Sequence, residues 1–495
     1  MSDFVRLECQ QPARVLAMTL DPTTCIRAYQ TRDTRFDGRF VTAVRTTRIF
    51  CRPVCRVRPP HPKNVQFYAT AAQALDAGFR PCLRCRPEWA PGHPHWPWQP
   101  PLVQAALEAL HEQPDLQARE LASRLGLSGR HLQRLFQAHL GASPSAVIHS
   151  HRLLLARRLL MSSSDPMEGI ARASGYGSAR RLRHAMVQRY GHPPSALRTN
   201  MRPSQGLQLR LDYRPPLPWE KLLEFWQQRA IPGVEEVADH CYKRSFLFAG
   251  KAGWLEVHGP SDGESPLQAR VHHPDSRCLA QVHRRLRRMF DLDAMPTEIS
   301  AILGGDSRLA KTLEATPGLR VPGGWSLFEI CVRAVLGQRI SVAAARTLCG
   351  RLVARLGQAK DELPPPLNTV FPEPAQLRDA ELSELGIPQA RQHTLHALGE
   401  LFANPPHAQW IHDPEAILTS LAAIHGIGPW TLAYIRMRGL RDPDAWPAGD
   451  LILRQRLGQP GKALSERACE QRSLAWRPWR AYAVLALWQA PTGDH

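Results

Sequence analysis

The stretch that decides the fold of the C-terminal half reads Leu421-Ala-Ala-Ile-His-Gly-Ile-Gly-Pro-Trp-Thr-Leu-Ala-Tyr-Ile435. It places a Gly-x-Gly turn between two apolar segments of helical pattern, and so predicts a helical hairpin. Such a hairpin can present backbone N–H groups to a DNA phosphate at the start of its second helix. We therefore expect Gly426 and Gly428 to contact DNA. A Gly-x-Gly turn alone is a weak signal.

An aspartate downstream of the hairpin strengthens the prediction of a DNA-binding hairpin. Asp450 lies in Trp446-Pro-Ala-Gly-Asp-Leu-Ile452, and its spacing from the hairpin resembles that of the helix-hairpin-helix DNA glycosylases. Two further segments widen the resemblance, Phe328-Glu-Ile-Cys-Val-Arg-Ala-Val-Leu-Gly-Gln-Arg-Ile-Ser-Val-Ala343 and Trp476-Arg-Pro-Trp-Arg-Ala-Tyr482. Over about residues 207 to 490 the chain is similar to the AlkA-type 3-methyladenine DNA glycosylases. The resemblance implies that Asp450 is the essential catalytic carboxylate.

The chemistry of base removal explains why a carboxylate is needed. Breaking an N-glycosidic bond builds positive charge on the sugar, and a carboxylate beside C1′ stabilises that charge or orients water. Glycosylases of this type that also cleave the strand carry a lysine where this chain has Trp430. The resemblance therefore implies a monofunctional enzyme that leaves an abasic site and needs no cofactor. Asp442 and Asp444 lack the spacing, and we expect them to be solvated loop residues.

The alkylated base must be flipped out of the duplex before attack. By the resemblance, Trp430, Tyr434 and Trp488 line the base pocket, with Phe225 a weaker candidate. Aromatic faces attract a cationic alkylated purine through stacking and cation–π forces. An aromatic residue considered alone is more often part of a core, so this prediction depends on the motif positions.

Two residues of the Phe328 segment are further candidates for DNA contact. Gln338 matches a DNA-contacting stretch of the AlkA-type enzymes. Arg339 departs from that family, in which a leucine wedges into the gap left by the flipped base. We expect Arg339 either to fill this gap or to bind a phosphate.

Four cysteines near the N-terminus form two close pairs, with Cys51 and Cys55 separated by three residues and Cys82 and Cys85 by two. Two such pairs suit the tetrahedral preference of zinc, because each pair can bind the metal from one turn. The alternative is four buried structural cysteines. The other cysteines have no such partner, and we expect them to be buried apolar residues: Cys9, Cys25, Cys241, Cys278, Cys331, Cys349 and Cys469.

Arginines crowd around these ligands, namely Arg45, Arg48, Arg52, Arg56, Arg58, Arg80, Arg84 and Arg86. The motifs Ala43-Val-Arg-Thr-Thr-Arg-Ile-Phe-Cys-Arg-Pro-Val-Cys55, Asn64-Val-Gln-Phe-Tyr68 and Ala77-Gly-Phe-Arg-Pro-Cys-Leu-Arg-Cys85 resemble the N-terminal domain of the Ada regulators. The resemblance implies that Cys51 accepts a methyl group from a DNA methylphosphotriester. Methylation would lower the charge of the zinc-thiolate group from about −2 to about −1, weakening its repulsion of DNA. The alternative is a purely structural zinc with an inert Cys51.

A helix-turn-helix pattern follows in Gln117-Ala-Arg-Glu-Leu-Ala-Ser-Arg-Leu-Gly-Leu-Ser-Gly-Arg-His-Leu-Gln-Arg-Leu-Phe136, with a second helix capped by Ser128. A second copy runs through Ile170-Ala-Arg-Ala-Ser-Gly-Tyr-Gly-Ser178. The block resembles the two-motif AraC-type domain, and Tyr190-Gly-His-Pro-Pro-Ser195 fits its end. The residues expected to reach phosphates or base edges are Arg130, His131, Gln133, Arg134, Arg180, Arg181 and Arg183.

Composition agrees with DNA as the partner. The 495 residues carry a formal net charge of +19, and residues 1–200 hold 28 basic against 13 acidic side chains. This basic excess attracts a polyanion, although a ribosomal or membrane-surface protein would also be positive. Neither a bilayer-spanning apolar run nor a secretion signal is evident, so we expect a cytoplasmic, nucleoid-associated protein without membrane contact.

The expected fold is multidomain and mostly α-helical. We predict an Ada-type α/β zinc domain (1–90), a proline-rich linker (91–101), an all-α AraC-type helix-turn-helix domain (102–200), a mixed α/β AlkA-type N-terminal module (205–320) and an all-α helix-hairpin-helix glycosylase domain (321–495). Residues 358–378, with three consecutive prolines, are expected to form an internal loop.

The leading hypothesis is an alkylation-repair glycosylase that also senses damage and activates transcription. Its expected partners are alkylated and promoter duplex DNA, with RNA polymerase as a further one. One alternative is a regulator whose glycosylase half only binds DNA, and another is a regulator half that merely localises the enzyme. The resemblance to Ada stops before its C-terminal methyltransferase, and no Pro-Cys-His-Arg motif occurs, so repair of O6-methylguanine is not expected.

Overall fold

The computed structural model describes residues 21–87, 90–91, 101–162, 165–198, 206–260, 265–406, 413–459 and 461–490. Cys9 and most of the predicted linker, residues 92–100, lie outside this part of the chain. The fold is multidomain and mostly helical with two larger sheets, as the sequence predicts. Among the described helices, none is both long enough and apolar enough to cross a bilayer.

The N-terminal unit is a four-stranded sheet with two helices. Helix Pro22–Thr31 is capped by Asp21, whose side chain accepts from the backbone N–H of Thr24, and helix Ala71–Asp76 starts with a capping box between Thr70 and Gln73. The strands, in spatial order, are Val65–Tyr68, Val41–Val44, Ile49–Cys51 and Arg80–Pro81. The last pair is parallel, and this brings two distant segments side by side.

The second unit is entirely helical over its described residues. Ser128 and Ser178 cap the second helix of each helix-turn-helix by accepting a backbone N–H three residues on, which confirms the cap predicted at Ser128. The long fourth helix joins the two motifs. In chain order the helices are Pro101–Glu112, Ala118–Arg124, Gly129–Leu140, Pro144–Ser162, Met167–Ala173, Ala179–Tyr190 and Pro194–Leu197.

A mixed module follows, built on a five-stranded antiparallel sheet. The alternation predicted at residues 207–213 is confirmed over the strand Leu207–Leu211, in which Leu207, Leu209 and Leu211 are buried while the residues between them are not. It ends at Asp212, which is buried as well. Helices Trp219–Gln227 and Cys278–Met289 belong to the same core. The strands, in spatial order, are Leu207–Leu211, Leu267–His272, Lys251–His258, Cys241–Phe248 and Glu235–Ala238.

The C-terminal half is helical, with the predicted hairpin formed by Pro414–Ala422 and Pro429–Arg438. The remaining helices are Pro296–Leu303, Ser307–Ala315, Leu327–Leu336, Val342–Leu356, Pro374–Arg378, Gln389–Ala403, Leu451–Leu457, Glu466–Ser473 and Arg480–Gln489. The loop predicted at residues 358–378 is wrong in part. It contains two short strands, Gln358–Ala359 and Thr369–Val370, which pair with each other, and a short helix. The two strands are ten residues apart, so their pairing is not visible in the sequence around either one.

Packing does not follow chain order. One core cluster joins residues of the zinc unit, the second helix-turn-helix and the mixed module, among them Phe50, Leu182 and Trp226. Another joins Ile299 to residues near the C-terminus such as Val484. The units are therefore in direct contact and bury apolar surface against one another.

Candidate active site and DNA-binding surfaces

Asp450 stands at the start of helix Leu451–Leu457, where its Oδ1 accepts a hydrogen bond from the backbone N–H of Leu453 at 3.0 Å. The indole of Trp430 donates to Oδ2 at 2.8 Å, and that of Trp488 donates to Oδ1 at 3.3 Å. The residue is only 7% exposed. Three N–H donors therefore stabilise the negative charge of the carboxylate and fix its orientation.

Aromatic rings surround this carboxylate. Trp430 and Tyr434 lie one turn apart on helix Pro429–Arg438 and stack with centroids 5.4 Å apart and planes 19° apart. Trp430, Tyr434 and Trp488 are each half-buried, so each keeps part of its surface accessible. The structure thus brings three of the four predicted pocket residues together around Asp450.

Phe225, the fourth, is connected to this group by a residue that sequence analysis missed. The guanidinium of Arg438 lies 4.7 Å from the ring centroid of Phe225 and 5.4 Å from that of Tyr434, and it donates to the Tyr434 hydroxyl. It is anchored by donating to the carbonyls of Pro322 and Gly323. Burial opposes ionisation of Tyr434, but the combined effect of the Arg438, Arg229 and Arg333 cations and of the Arg438 hydrogen bond is larger and lowers the pKa of this phenol. The only sequence signal was the four-residue spacing from Tyr434.

The hairpin before Asp450 depends on its first glycine. Gly426 has φ of +93°, and a Cβ there would lie 2.3 Å from Oγ1 of Thr394, so a side chain is excluded both by conformation and by space. The side-chain amide of Gln338 donates to the Gly426 carbonyl and to Oγ1 of Thr431, both at 2.9 Å. Gln338 therefore fastens the preceding helical segment to the hairpin.

Gly428 precedes helix Pro429–Arg438, whose first backbone N–H groups have no partner within the helix. A Cβ at Gly428 would meet nothing within 4 Å, so the backbone is open on that side.

Arg339 is exposed and has φ of +57°, a conformation that non-glycine residues rarely adopt and that occurs at functional sites. The neighbouring Ile340 is 37% exposed.

Asp442 and Asp444 are not solvated, contrary to expectation. Each is 7% exposed. Arg436 donates to Asp442, while Arg480 and Arg477 donate to Asp444 at 2.8 Å. Burial raises the pKa of Asp442. These carboxylates are structural ion-pair partners, and the arginines that bury them could not be assigned from sequence.

The four predicted zinc ligands come together. Their sulfur atoms all lie within 4.8 Å of one another, and the parallel pairing of Ile49–Cys51 with Arg80–Pro81 places the first cysteine pair beside the second. Four thiolates this close repel one another, so they need a divalent cation between them. A compact set of four sulfurs is a structural zinc donor set. Zn²⁺ is therefore bound by Cys51, Cys55, Cys82 and Cys85.

Arg52 follows the first ligand but does not face outward. It is 8% exposed; its guanidinium donates to Asp37 and, at 2.5 Å, to Asp212 of the mixed module, while its backbone N–H donates to Sγ of Cys85 at 3.3 Å. Arg52 is therefore held inside the protein, where two buried carboxylates compensate its charge. Of the eight arginines predicted to crowd the ligands, six are exposed: Arg45, Arg48, Arg56, Arg58, Arg80 and Arg84.

The remaining described cysteines are buried, as predicted: Cys25, Cys241, Cys278, Cys331, Cys349 and Cys469.

On the helix-turn-helix unit, the predicted contact residues other than His131 are exposed on the second helix of each motif: Arg130, Gln133, Arg134, Arg180, Arg181 and Arg183. His131 is half-buried. Each helix-turn-helix motif thus exposes a set of hydrogen-bond donors of the type that contact DNA.

Three family models match this chain. They are the metal binding domain of Ada over residues 24–88, a helix-turn-helix domain over residues 121–200 and the AlkA N-terminal domain over residues 208–326. Together they cover the zinc unit, most of the helical unit and the mixed module.

Curated relatives extend the match over the rest of the chain. The probable bifunctional transcriptional activator/DNA repair enzyme AlkA of Mycobacterium tuberculosis is 37% identical, covering 94% of this chain and 95% of the relative. The DNA-3-methyladenine glycosylase 2 of Escherichia coli is 33% identical over 56% of this chain and 95% of its own. The bifunctional transcriptional activator/DNA repair enzyme Ada of Escherichia coli is 45% identical over 26% of this chain and 34% of its own. The chain belongs to the family of the bifunctional transcriptional activator/DNA repair enzyme AlkA, in which an Ada-type regulator is fused to an AlkA-type glycosylase.

Proposed function

We propose that this protein is a monofunctional 3-methyladenine DNA glycosylase that uses Asp450, fused to a DNA-binding regulator that accepts a methyl group on Cys51. The observation that carries the first part is the Asp450 carboxylate, held by two indole N–H groups beside the stacked pair of Trp430 and Tyr434. A module that only binds DNA has no need of a fixed, desolvated carboxylate. This favours the enzyme over a regulator with an inactive glycosylase half.

Base release follows from this geometry. The accessible faces of Trp430, Tyr434 and Trp488, and of Phe225 beyond them, receive the flipped base and stabilise its positive charge. As the N-glycosidic bond breaks, the electron pair leaves with the base and positive charge grows on the sugar. The Asp450 carboxylate stabilises that charge and orients the water that completes the abasic site.

No amine is placed for Schiff-base chemistry at the motif position, because an indole occupies it. Trp430 donates its N–H to Asp450 there and has no nucleophilic lone pair to offer. The product is then an unbroken strand with an abasic site. Gln338, Gly426 and Gly428 hold or present the hairpin backbone to DNA, and Arg339 enters the space of the flipped base or contacts a phosphate.

The methyl transfer is assigned to Cys51. Zinc, when bound, supplies the charge that keeps the four sulfurs deprotonated. Sγ of Cys51 forms a bond to the methyl carbon of the phosphotriester while the bond from that carbon to oxygen breaks, and the electron pair stays on the phosphate. The thioether is not readily reversed, so each chain reacts once. Loss of one negative charge from the cluster then tightens DNA binding.

The exposed arginines of the helix-turn-helix unit bind promoter DNA, and the bound protein contacts RNA polymerase. We also propose that the domains have the boundaries predicted from the sequence and that the protein associates with the nucleoid. Reporter transcription after methylating stress tests the regulator half: wild type should induce, and Cys51→Ala should not. Equal induction by the two would defeat the sensing role and leave Cys51 as a structural ligand.

The enzyme half is tested by incubating zinc-loaded full chain with methylated duplex DNA. Free 3-methyladenine should appear while the strand stays intact until it is treated with alkali, which cleaves at abasic sites. Strand cleavage by the protein alone would overturn the monofunctional assignment, and absence of free base would overturn the glycosylase.

A further inference from the structure

A second group of metal-ligating side chains lies on the sheet of the mixed module, far along the chain from the zinc cysteines. Cys241 begins strand Cys241–Phe248 and pairs directly with His258, the last residue of strand Lys251–His258. Glu256 lies two residues before His258, so it shares the same face of its strand. The antiparallel register therefore places a thiol, an imidazole and a carboxylate at one end of two adjacent strands.

The separations of the donor atoms suit one metal ion. Sγ of Cys241 lies 3.7 Å from Nε2 of His258, and that nitrogen lies 3.8 Å from Oε1 of Glu256. The three ligand atoms all lie within 4.8 Å of one another. A tetrahedral zinc ion with ordinary bond lengths separates sulfur, nitrogen and oxygen ligands by about 3.3 to 3.7 Å. Small rotations of His258 and Glu256 would complete such a site.

Two basic side chains lie beside the three ligands, and one of them already bonds a carboxylate oxygen of Glu256. Arg270, on the next strand, donates to Oε1 of Glu256 at 2.7 Å and orients the carboxylate, which keeps a second oxygen. The adjacent Lys243 is paired with Glu236 at 3.0 Å. His258 is half exposed while Cys241 is buried, so solvent has access from the histidine side.

We propose that Cys241, Glu256 and His258 form a second site for a divalent metal ion of the zinc class, independent of the four-cysteine site. Thiolate and imidazole ligands select zinc and its neighbours in the first transition row over magnesium or calcium. Three protein ligands leave a fourth position for water or another small ligand. Binding displaces the thiol proton of Cys241 and ties the ends of two strands together.

Cobalt(II) titration of the full chain carrying one equivalent of zinc tests this site. Zinc binds more tightly than cobalt, and four thiolates hold it more tightly than three mixed ligands, so the single zinc stays in the four-cysteine site while cobalt fills the second. A thiolate-to-cobalt charge-transfer band should grow and saturate at one cobalt per chain. Cys241→Ser should abolish the band, and His258→Ala, at an exposed position, should weaken cobalt binding. Removing the Arg270 guanidinium should weaken it by about 10- to 100-fold.

Cys469→Ser is the matched control. Cys469 is also buried, but among the described residues it belongs to no group of metal-ligating side chains. The variant should give the wild-type titration curve. Absence of the band in wild type would overturn the proposal. So would a band of wild-type size in Cys241→Ser, or unchanged cobalt affinity in His258→Ala.

Discussion

The indole nitrogen of Trp430 lies 2.8 Å from Oδ2 of Asp450. This contact joins the aromatic surface that we assign to the flipped base with the carboxylate that we assign to the chemistry. Trp488 makes the corresponding contact to Oδ1 over a longer distance, 3.3 Å. The two indoles thus serve twice, as ring surface and as N–H donors, and the shorter contact should matter more to the reaction.

Trp430→Phe should slow base release while leaving the fold intact. The variant keeps an aromatic ring on Tyr434 but removes the donor to the carboxylate. A hydrogen bond to a charged group contributes about 1.5 to 3 kcal/mol, so the single-turnover rate should fall about 10- to 150-fold. Trp488→Phe, measured in parallel, should lose less. A rate unchanged by Trp430→Phe, or a larger loss in Trp488→Phe, contradicts the assigned roles.

Asp212→Asn should destabilise the contact between the zinc unit and the mixed module. Arg52 is buried between Asp37 and Asp212, and removing one charge from a buried ion pair costs about 3 kcal/mol. Urea unfolding of the zinc-loaded full chain measures the change in free energy. Asp33→Asn is the control: Asp33 pairs with the exposed Arg35, so it should lose less than about 1 kcal/mol. Equal losses in the two variants would show that the Arg52 pair carries no special weight.

Stability should fall in mild acid because of His151. Its Nε2 lies 2.6 Å from Nδ1 of His111, and burial lowers the pKa of His151 from 6.5 to about 4, with nearby arginines adding to the effect. His151 is therefore protonated below about pH 6.5 in the unfolded chain but only below about pH 4 in the folded chain. The free energy of unfolding should drop by about 2 kcal/mol between pH 7 and pH 5 from this residue alone.

His151→Gln tests that origin by urea unfolding at the two pH values. Glutamine does not titrate, so the pH dependence should shrink by the share of His151. Burial also lowers the pKa of His283, which keeps part of the dependence in the variant. An identical pH dependence in wild type and His151→Gln would assign the acid sensitivity to other groups.

Removing the structural zinc should separate the two activities. Cys82→Ser should lower zinc content by one ion per chain and abolish methyl transfer from methylphosphotriester DNA. Release of 3-methyladenine should fall by less than tenfold, because the hydrogen-bond partners of Asp450 are Trp430, Leu453 and Trp488. Loss of both activities would show that the glycosylase pocket depends on the zinc unit.

Local patterns in the sequence were sufficient for much of this structure. The paired spacing of Cys51 with Cys55 and of Cys82 with Cys85 is a property of single turns, and the alternation over residues 207–211 is a property of one strand. The hairpin was predicted from a Gly-x-Gly turn between two apolar segments and the role of Asp450 from motif resemblance, and the structure places Asp450 beside Trp430 of the hairpin.

Long-range pairing could not be predicted. Arg52 and Asp212 are separated by 160 positions, so nothing near Arg52 indicates an inward orientation. The burial of Asp444 depends on Arg477 and Arg480 from a later segment. Arg438 was missed because the acceptors that anchor it, the carbonyls of Pro322 and Gly323, are backbone groups, which leave no signature in the sequence.

The most direct test compares wild type and Asp450→Asn for release of free 3-methyladenine from methylated duplex DNA, with both proteins folded and zinc-loaded. Asparagine keeps the size of the side chain and removes its charge, so stabilisation of the sugar cation is lost. Wild type should release the base, and Asp450→Asn should release it at a small fraction of that rate. Equal release by the two proteins, or none by wild type, would contradict the account.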